Sequence, residues 1–142
     1  MSNKKTVLLI EDNPDDAEHY TEMLEQCSPA YKVLHADNGA DGIALFKKYK
    51  IDCTLIDYNL PQMDGLEILD QILKSSVGYV ATIILTGEPH QKIQAEAARK
   101  GALDYMIKDI GTTPEKLSMH ISKTIDWADR LNNEQKKTVN HF

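Results

Sequence analysis

The feature that most constrains the fold is a regular alternation of short apolar runs with stretches of helical length. The apolar runs, which predict strands, are TVLLIE at 6–11, KVLHA at 32–36, CTLID at 53–57, VATIILT at 80–86 and LDYMI at 103–107. The segments between and after them, which predict helices, are 14–27, 38–49, 65–75, 89–100 and 114–135. Strands that alternate with helices form parallel sheets with right-handed crossovers and helices on both faces. The sequence therefore predicts an α/β fold, (βα)5, on a five-stranded parallel sheet.

The starts of two predicted helices carry capping signals. Asn13 supplies an N-cap, Pro14 fits the first helical position, and the two acids that follow lie near the positive end of the helix dipole. Thr112-Thr113-Pro114-Glu115 repeats this arrangement before the last helix. Gly101 follows two basic residues, as expected just beyond the C-terminus of a helix. These signals support the division into alternating strands and helices.

The composition restricts the class of protein that the chain can be and the kinds of partner that it can bind. A chain of 142 residues has the length of one domain, and its 42% hydrophobic and 27% charged residues are typical of a globular fold. The net charge of -6 argues against direct binding to nucleic acid or to an anionic membrane. No apolar run approaches the roughly 18 residues of a membrane span, and the apolar stretch near the N-terminus is too short for a signal peptide. We therefore expect a cytoplasmic protein.

Side chains that can bind a ligand or take part in a reaction lie where four of the predicted strands end. The first strand leads to Glu11 and Asp12, the third to Asp57, the fourth to Thr86 and the fifth to Lys108. In an open parallel sheet, ligand sites form at the carboxyl ends of the strands, beside the point where the strand order reverses. We therefore interpret Asp57, which ends an otherwise apolar strand, as part of the floor of a site.

The residue types predict the chemistry of that site. Three carboxylates within several ångströms of each other repel by roughly a few kcal/mol at an effective dielectric of about 20, and a hard divalent cation relieves this repulsion. Oxygen ligands in a partly hydrated site suit Mg²⁺. Lys108 adds a positive charge and Thr86 a hydroxyl donor for the oxygens of a phosphoryl group that a carboxylate attacks. The expected product is an aspartyl phosphate.

Five elements follow one another in order, each at a strand end. They are Glu11-Asp12, then Asp57 with the following LPQMDG, Thr86-Gly87, Tyr105, and Lys108 three residues later. With these elements the chain resembles the receiver domains of two-component response regulators, and is similar to the single-domain regulators of the chemotaxis type. The resemblance runs over about residues 5–130. It implies a doubly wound, flavodoxin-like sheet with the strand order 2-1-3-4-5.

The resemblance also implies a ligand set for Mg²⁺. Asp12 and Asp57 are the expected side-chain ligands, and Glu11 is expected to act through the waters of the metal. The main-chain carbonyl of Asn59 is expected to complete the protein ligands. Asp64, close by in the motif, is interpreted instead as a helix cap or turn residue.

The family further implies the roles of a phosphorylated switch. Asp57 is the expected phosphoacceptor, and Thr86 and Lys108 are expected to bind the phosphoryl oxygens. The expected donor is a phosphohistidine on a partner histidine kinase or histidine phosphotransfer protein. Thr86 and Tyr105 are expected to reorient on phosphorylation and to reshape the face made by the fourth helix, fifth strand and fifth helix. The domain would catalyse only its own phosphorylation and its own slow hydrolysis, and is not predicted to be an enzyme with an external product.

One position departs from the family pattern. Many receivers carry a proline after the lysine, often through a cis bond, whereas this chain has Asp109. A cis peptide bond before a residue other than proline costs roughly 3 kcal/mol. We therefore expect a trans bond or a locally different loop, with Lys108 placed slightly differently.

Two other classes of function compete with a switch. A Mg²⁺-dependent hydrolase of the aspartate-nucleophile phosphatase type carries a second acid two residues after the nucleophile, where this chain has Asn59, which cannot transfer protons. A pseudo-receiver that only binds proteins would lack part of the acceptor, metal and lysine set, all of which is present. A nucleotide or flavin module is disfavoured because no glycine-rich phosphate-binding motif occurs.

The last predicted helix suggests a second surface. At helical spacing Leu117, Ile121, Ile125 and Ala128 form one stripe, which is predicted to face the sheet. Trp127 lies about 120° from this stripe, beside Thr124 and Leu131, and so predicts an exposed apolar patch for partners or for a homodimer. We divide the chain into a receiver domain at 1–130 and a polar tail at 131–142, which is either a frayed end or the start of a helical linker.

Overall fold

The computed structural model describes residues 4–140, with side chains described through residue 136. The elements are β1 (Thr6–Ile10), α1 (Pro14–Gln26), β2 (Lys32–Ala36), α2 (Gly39–Lys48), β3 (Cys53–Asp57), α3 (Gly65–Lys74), β4 (Thr82–Thr86), α4 (Gln91–Lys100), β5 (Asp104–Ile107) and α5 (Pro114–Asn140). All neighbouring strands pair in parallel, in the order β2-β1-β3-β4-β5. The predicted fold class and strand order are therefore confirmed.

Element boundaries differ from the prediction by a few residues. β4 begins at Thr82 instead of residue 80 because its pairing with β3 starts at Thr54 and Thr82. α4 begins at Gln91 instead of residue 89, since His90 caps it and its ring Nδ1 accepts a hydrogen bond from the main chain. These shifts leave every predicted element in place.

The sheet divides the core into two layers. One layer packs β1, β3 and β4 against α1 and α5, and the other packs the opposite face against α2, α3 and α4. In α5, the predicted stripe of Leu117, Ile121, Ile125 and Ala128 is buried in the first layer. The central strands β1, β3 and β4 are covered on both faces, as their continuous apolar sequences predict.

Helix α5 crosses residue 130 without a break and extends to Asn140. Beyond residue 130 it still contacts the sheet domain, because Asn132 Oδ1 accepts a hydrogen bond from Tyr79 N at 2.7 Å and Asn132 Nδ2 donates to Tyr79 O at 3.0 Å. Gly78 has a φ of 84°, and a Cβ atom there would clash with Asn132 Oδ1. The division at residue 130 stays a prediction, and residues 1–3 and 141–142 lie outside the described part of the chain.

The connection from β3 to α3 brings a helix start against the end of a strand. Asp64 caps α3, as predicted, and its Oδ1 accepts hydrogen bonds from Leu66 N at 2.9 Å and Glu67 N at 3.0 Å. Gly65 follows, and an added Cβ atom would lie 2.9 Å from Asp57 O and 2.9 Å from Tyr58 Cα. Glycine is needed here because backbone atoms occupy the space of a side chain.

We expect Gly65→Ala to destabilise the protein by about 1–3 kcal/mol, because the β3–α3 connection must move to admit the methyl group. Urea unfolding measures the change. Gly87→Ala is the matched control: nothing lies within 4 Å of its Cβ position, so its free energy of unfolding should stay within about 0.5 kcal/mol of the wild-type value. Equal stabilities for the two variants would contradict the close approach at Gly65.

Candidate functional site

The acidic residues predicted at the strand ends meet at one point of the sheet. The chain leaves β1 toward β2 on one side and returns to β3 on the other, so the carboxyl ends of β1 and β3 flank the reversal of strand order. Glu11, Asp12 and Asp57 lie there, each with a ligand oxygen within 4.8 Å of the others. The structure therefore brings together the three carboxylates that the sequence singles out.

Asp57 sits at the bottom of this cluster. Its side chain is 4% exposed. Oδ1 accepts a hydrogen bond from Asn59 N at 3.1 Å, and Oδ2 lies 3.3 Å from Lys108 Nζ. One carboxylate oxygen is thus held by the main chain of the following loop and the other by a cation, which fixes the orientation of the group.

Lys108 connects the acids of three elements. Its ammonium group donates to Glu11 Oε1 and, at 3.1 Å, to Asp16 Oδ2, in addition to its contact with Asp57. Burial disfavours the charge, but hydrogen bonds and charge interactions with the three carboxylates outweigh it and raise the pKa of Lys108 above its ordinary value. The lysine therefore remains charged throughout the physiological pH range.

Glu11 is the most buried of the acids, with no exposed surface. Burial first, and then a hydrogen bond with Asp57, raise its pKa well above the ordinary value, while Lys108 acts in the opposite direction. Its Oε2 accepts a hydrogen bond from Asn13 N at 3.4 Å, and its main-chain O lies 2.8 Å from His35 Nε2. The raised pKa reflects the close packing of Glu11 against Asp57, and a divalent cation bound there would favour the charged carboxylates.

The two residues expected to act as a switch make contacts on the side of α4. The Thr86 hydroxyl, which is buried, donates to the main-chain O of Glu88 at 3.2 Å. The Tyr105 hydroxyl accepts a hydrogen bond from His90 N at 3.3 Å, and its ring is half-buried. Both hydroxyls therefore form hydrogen bonds with the β4–α4 connection. The acceptor of the Thr86 hydroxyl lies outside the acidic cluster.

The loop after Lys108 follows the expectation for a residue other than proline. The Lys108–Asp109 peptide bond is trans. Asp109 Oδ1 accepts a hydrogen bond from Gly111 N at 3.0 Å, and its main-chain O accepts one from Thr112 N at 3.0 Å. A side-chain turn thus takes the place of a proline in shaping this loop.

Two functional contacts were missed by sequence reasoning. Asp16 was interpreted only as an acid near the dipole of α1, yet it binds Lys108. His35, in edge strand β2, contacts the main chain at Glu11. The register of β2 on β1, which pairs Leu9 with His35, places this ring near the site. No local sequence signal marks either contact, because each depends on how distant elements are packed.

A groove of about 780 Å³ runs along the face formed by α4, β5 and α5. Its walls include Tyr105, Lys116 and His120. Trp127 follows the last two on α5 at helical spacing and is 50% exposed, so the described part of the chain does not cover it. Thr124, expected beside it in the patch, is buried, and its hydroxyl donates to His120 O at 2.7 Å.

The donor set fits Mg²⁺. Glu11, Asp12 and Asp57 offer only oxygen, two of them are buried, and Asp12 is partly open to solvent, which leaves room for metal-bound water.

Within residues 4–140, no helix is long and apolar enough to cross a membrane.

Comparison with known proteins gives the same family from sequence and from structure. Residues 7–122 match the family model described as response regulator receiver domain. The chain is 31% identical over 105 residues to protein PilH of Pseudomonas aeruginosa, and the alignment covers 73% of this chain and 85% of PilH. It is 37% identical over 109 residues to the probable C4-dicarboxylate response regulator DctR of Priestia megaterium, covering 75% of this chain and 47% of DctR. The chain thus spans most of PilH but less than half of DctR.

A solved structure supports the comparison. The receiver domain of sensor histidine kinase PA1611 from Pseudomonas aeruginosa superposes with a TM-score of 0.75 at 26% identity, covering 87% of this chain and 98% of that chain. That protein holds a magnesium ion coordinated in its active site cleft. Apart from Thr6, the family match contains the five strands and the acidic cluster of the present chain. The chain therefore belongs to the family of response regulator receiver domains, the signalling switches of two-component systems.

Proposed function

We propose that the chain is a switch phosphorylated on Asp57, with the phosphoryl group supplied by a phosphohistidine on a partner histidine kinase or histidine phosphotransfer protein. The observation that carries the proposal is the environment of Asp57: a nearly buried carboxylate with Oδ2 at 3.3 Å from a charged lysine, inside a cluster of oxygen ligands. Asp57 attacks phosphorus, the P–N bond breaks, and the histidine ring keeps the electron pair of that bond.

The residues around Asp57 have two proposed roles, which are to bind Mg²⁺ and to bind the phosphoryl oxygens. Asp12 and Asp57 would hold Mg²⁺ through their side chains, Glu11 through water and Asn59 through its main-chain carbonyl. Bound there, the ion supplies positive charge for the phosphoryl oxygens. Lys108 donates to a further phosphoryl oxygen, and its ion pair with Asp57 at 3.3 Å supports this role.

Thr86 and Tyr105 form the proposed output of the switch. Thr86 turns its hydroxyl from Glu88 O to the phosphoryl group, and Tyr105 follows by leaving its contact with His90 N. The two changes reshape the α4–β5–α5 face, which contacts a partner protein or a domain elsewhere in a longer protein. The domain catalyses its own phosphorylation and its own dephosphorylation.

Incubation with acetyl phosphate and Mg²⁺ should add the mass of one phosphoryl group to the wild-type protein, and Asp57→Asn should abolish the gain. Intact-protein mass spectrometry measures it. Asp64→Asn is the matched control, because Asp64 lies in the same segment but caps α3, and asparagine caps helices as well as aspartate does. A persistent gain in Asp57→Asn would place the acceptor elsewhere, and no gain in wild type would favour a pseudo-receiver.

Asp12→Ala should weaken Mg²⁺ binding at least about tenfold, or about 1.4 kcal/mol, because it removes a carboxylate ligand. Calorimetric titration of the unphosphorylated protein measures the affinity. Asp37→Ala is the matched control and should leave the Mg²⁺ affinity unchanged. It removes the same charge just after β2, at the same edge of the sheet but outside the acidic cluster. Equal affinities of wild type and Asp12→Ala would refute the ligand assignment.

The α4–β5–α5 face is also the proposed contact of a homodimer, with Trp127 as its apolar anchor. Trp127→Ala should weaken self-association of the protein bound to beryllofluoride, a phosphoryl mimic, by about tenfold in Kd. Analytical ultracentrifugation with and without the mimic measures this. Tyr49→Ala removes another exposed aromatic side chain, 44% exposed, at the end of α2 and outside α4, β5 and α5, and should have no effect. Identical sedimentation of wild type and Trp127→Ala in both states would remove Trp127 from the interface.

A further inference from the structure

The ammonium group of Lys108 is held by two hydrogen bonds in this structure. It donates to Glu11 and to Asp16, and it lies 3.3 Å from Asp57 Oδ2 as an ion pair. Glu11 and Asp57 belong to the acidic cluster, whereas Asp16 comes from the first turn of α1 and is not part of it. These two hydrogen bonds set the position of the ammonium group, and a phosphoryl oxygen on Asp57 would compete with them for it.

Asp16 is fixed in place by the start of α1. Asn13 caps the helix, and its Oδ1 accepts hydrogen bonds from Asp15 N at 2.9 Å and Asp16 N at 3.0 Å. Pro14 restricts the backbone at the first helical position. The Asp16 carboxylate thus approaches Lys108 from α1, while the neighbouring Asp15 side chain is exposed. Two adjacent acids in one helical turn therefore differ in whether they touch the lysine.

We propose that Asp16 is a positioning residue for Lys108, which holds the lysine toward α1 in the unphosphorylated state and competes with the phosphoryl group for it. The inference rests on the proposed phosphorylation of Asp57. Of the two hydrogen-bond acceptors, Glu11 is buried in the acidic cluster, whereas Asp16 is partly exposed and lies outside it, so Asp16 is the acceptor that Lys108 gives up.

The charge of Asp16 strengthens the hydrogen bond that holds Lys108. Its loss weakens that bond and leaves the lysine freer to donate to the incoming phosphoryl group. Asp16 is 43% exposed, so solvent screens its ion pair and its influence is modest. We expect Asp16→Asn to raise the rate of phosphorylation by acetyl phosphate about two- to fivefold, as for a partly exposed ion pair. In that reaction Asp57 attacks phosphorus, the P–O bond breaks, and acetate leaves with the electron pair.

Asp15→Asn is the matched control, because it removes the same charge from the same helical turn without touching Lys108, and its rate should equal that of wild type. A double-mutant cycle separates positioning from general repulsion. If Asp16 acts through the lysine, Asp16→Asn should lose its effect in a Lys108→Ala background. Asp16→Glu, which keeps the carboxylate, should return the rate toward the wild-type value. Equal rates for wild type and Asp16→Asn, or an effect that persists without Lys108, would overturn the proposal.

A second measurement needs neither phosphorylation nor metal. The side-chain ammonium signal of Lys108 in NMR spectra of the unphosphorylated protein, assigned with Lys108→Arg, reports hydrogen exchange of the N–H donors. Asp16→Asn should speed this exchange about two- to fivefold, the same modest factor, and Asp15→Asn should leave it unchanged. No change in Asp16→Asn overturns the contact itself. Failure of wild type to accept a phosphoryl group overturns the proposed function, while the NMR result still decides whether Asp16 holds Lys108.

Discussion

The rest of the site depends on the ion pairs that positively charged Lys108 forms with the buried acids. Glu11 is fully buried and Asp57 nearly so, and a buried carboxylate without a partner is strongly destabilising. Glu11 follows β1, Asp57 ends β3, and the lysine follows β5. β1 lies three strand spacings from β5 and β3 lies two, so at about 4.8 Å per spacing the backbones of the two acids are roughly 14 Å and 10 Å from that of the lysine. Only a long side chain that passes over the end of β4 closes these distances. β4 ends at Thr86 and Gly87 follows it, and the small size of these two residues leaves that path open.

Sequence reasoning predicted best the features that follow from local patterns and from the geometry of parallel sheets. Parallel strands bring their carboxyl ends to one edge, so Asp12, Asp57 and Lys108 could be placed together before their distances were known. The cap at Asp64 and the buried face of α5 follow from patterns within a few residues. In each case the determining interaction is either inside one element or required by the sheet, so the sequence alone carries it.

The features that escaped prediction depend on contacts between distant segments. Asp16 and Lys108 are 92 residues apart, and Asn132 and Tyr79 are 53 apart. Each contact requires the position of a helix over the sheet to within about an ångström, since a hydrogen bond fails beyond roughly 3.5 Å. Periodicity identifies the face of a helix that packs, not its shift along its own axis. The direction of the Thr86 hydroxyl escaped for a related reason, because it depends on the fold of the β4–α4 connection.

In the proposed switch, that hydroxyl is the link between Asp57 and a surface on the far side of β4. Thr86 donates to Glu88 O, and two residues later His90 N donates to the Tyr105 hydroxyl while the His90 ring caps α4. The β4–α4 connection is therefore tied at one end to Thr86 and at the other to a half-buried ring on β5. If Thr86 turns toward Asp57, Glu88 O loses its donor and the connection loses one of these two ties. The start of α4 is then free to shift, and Tyr105 can move only where that shift makes room.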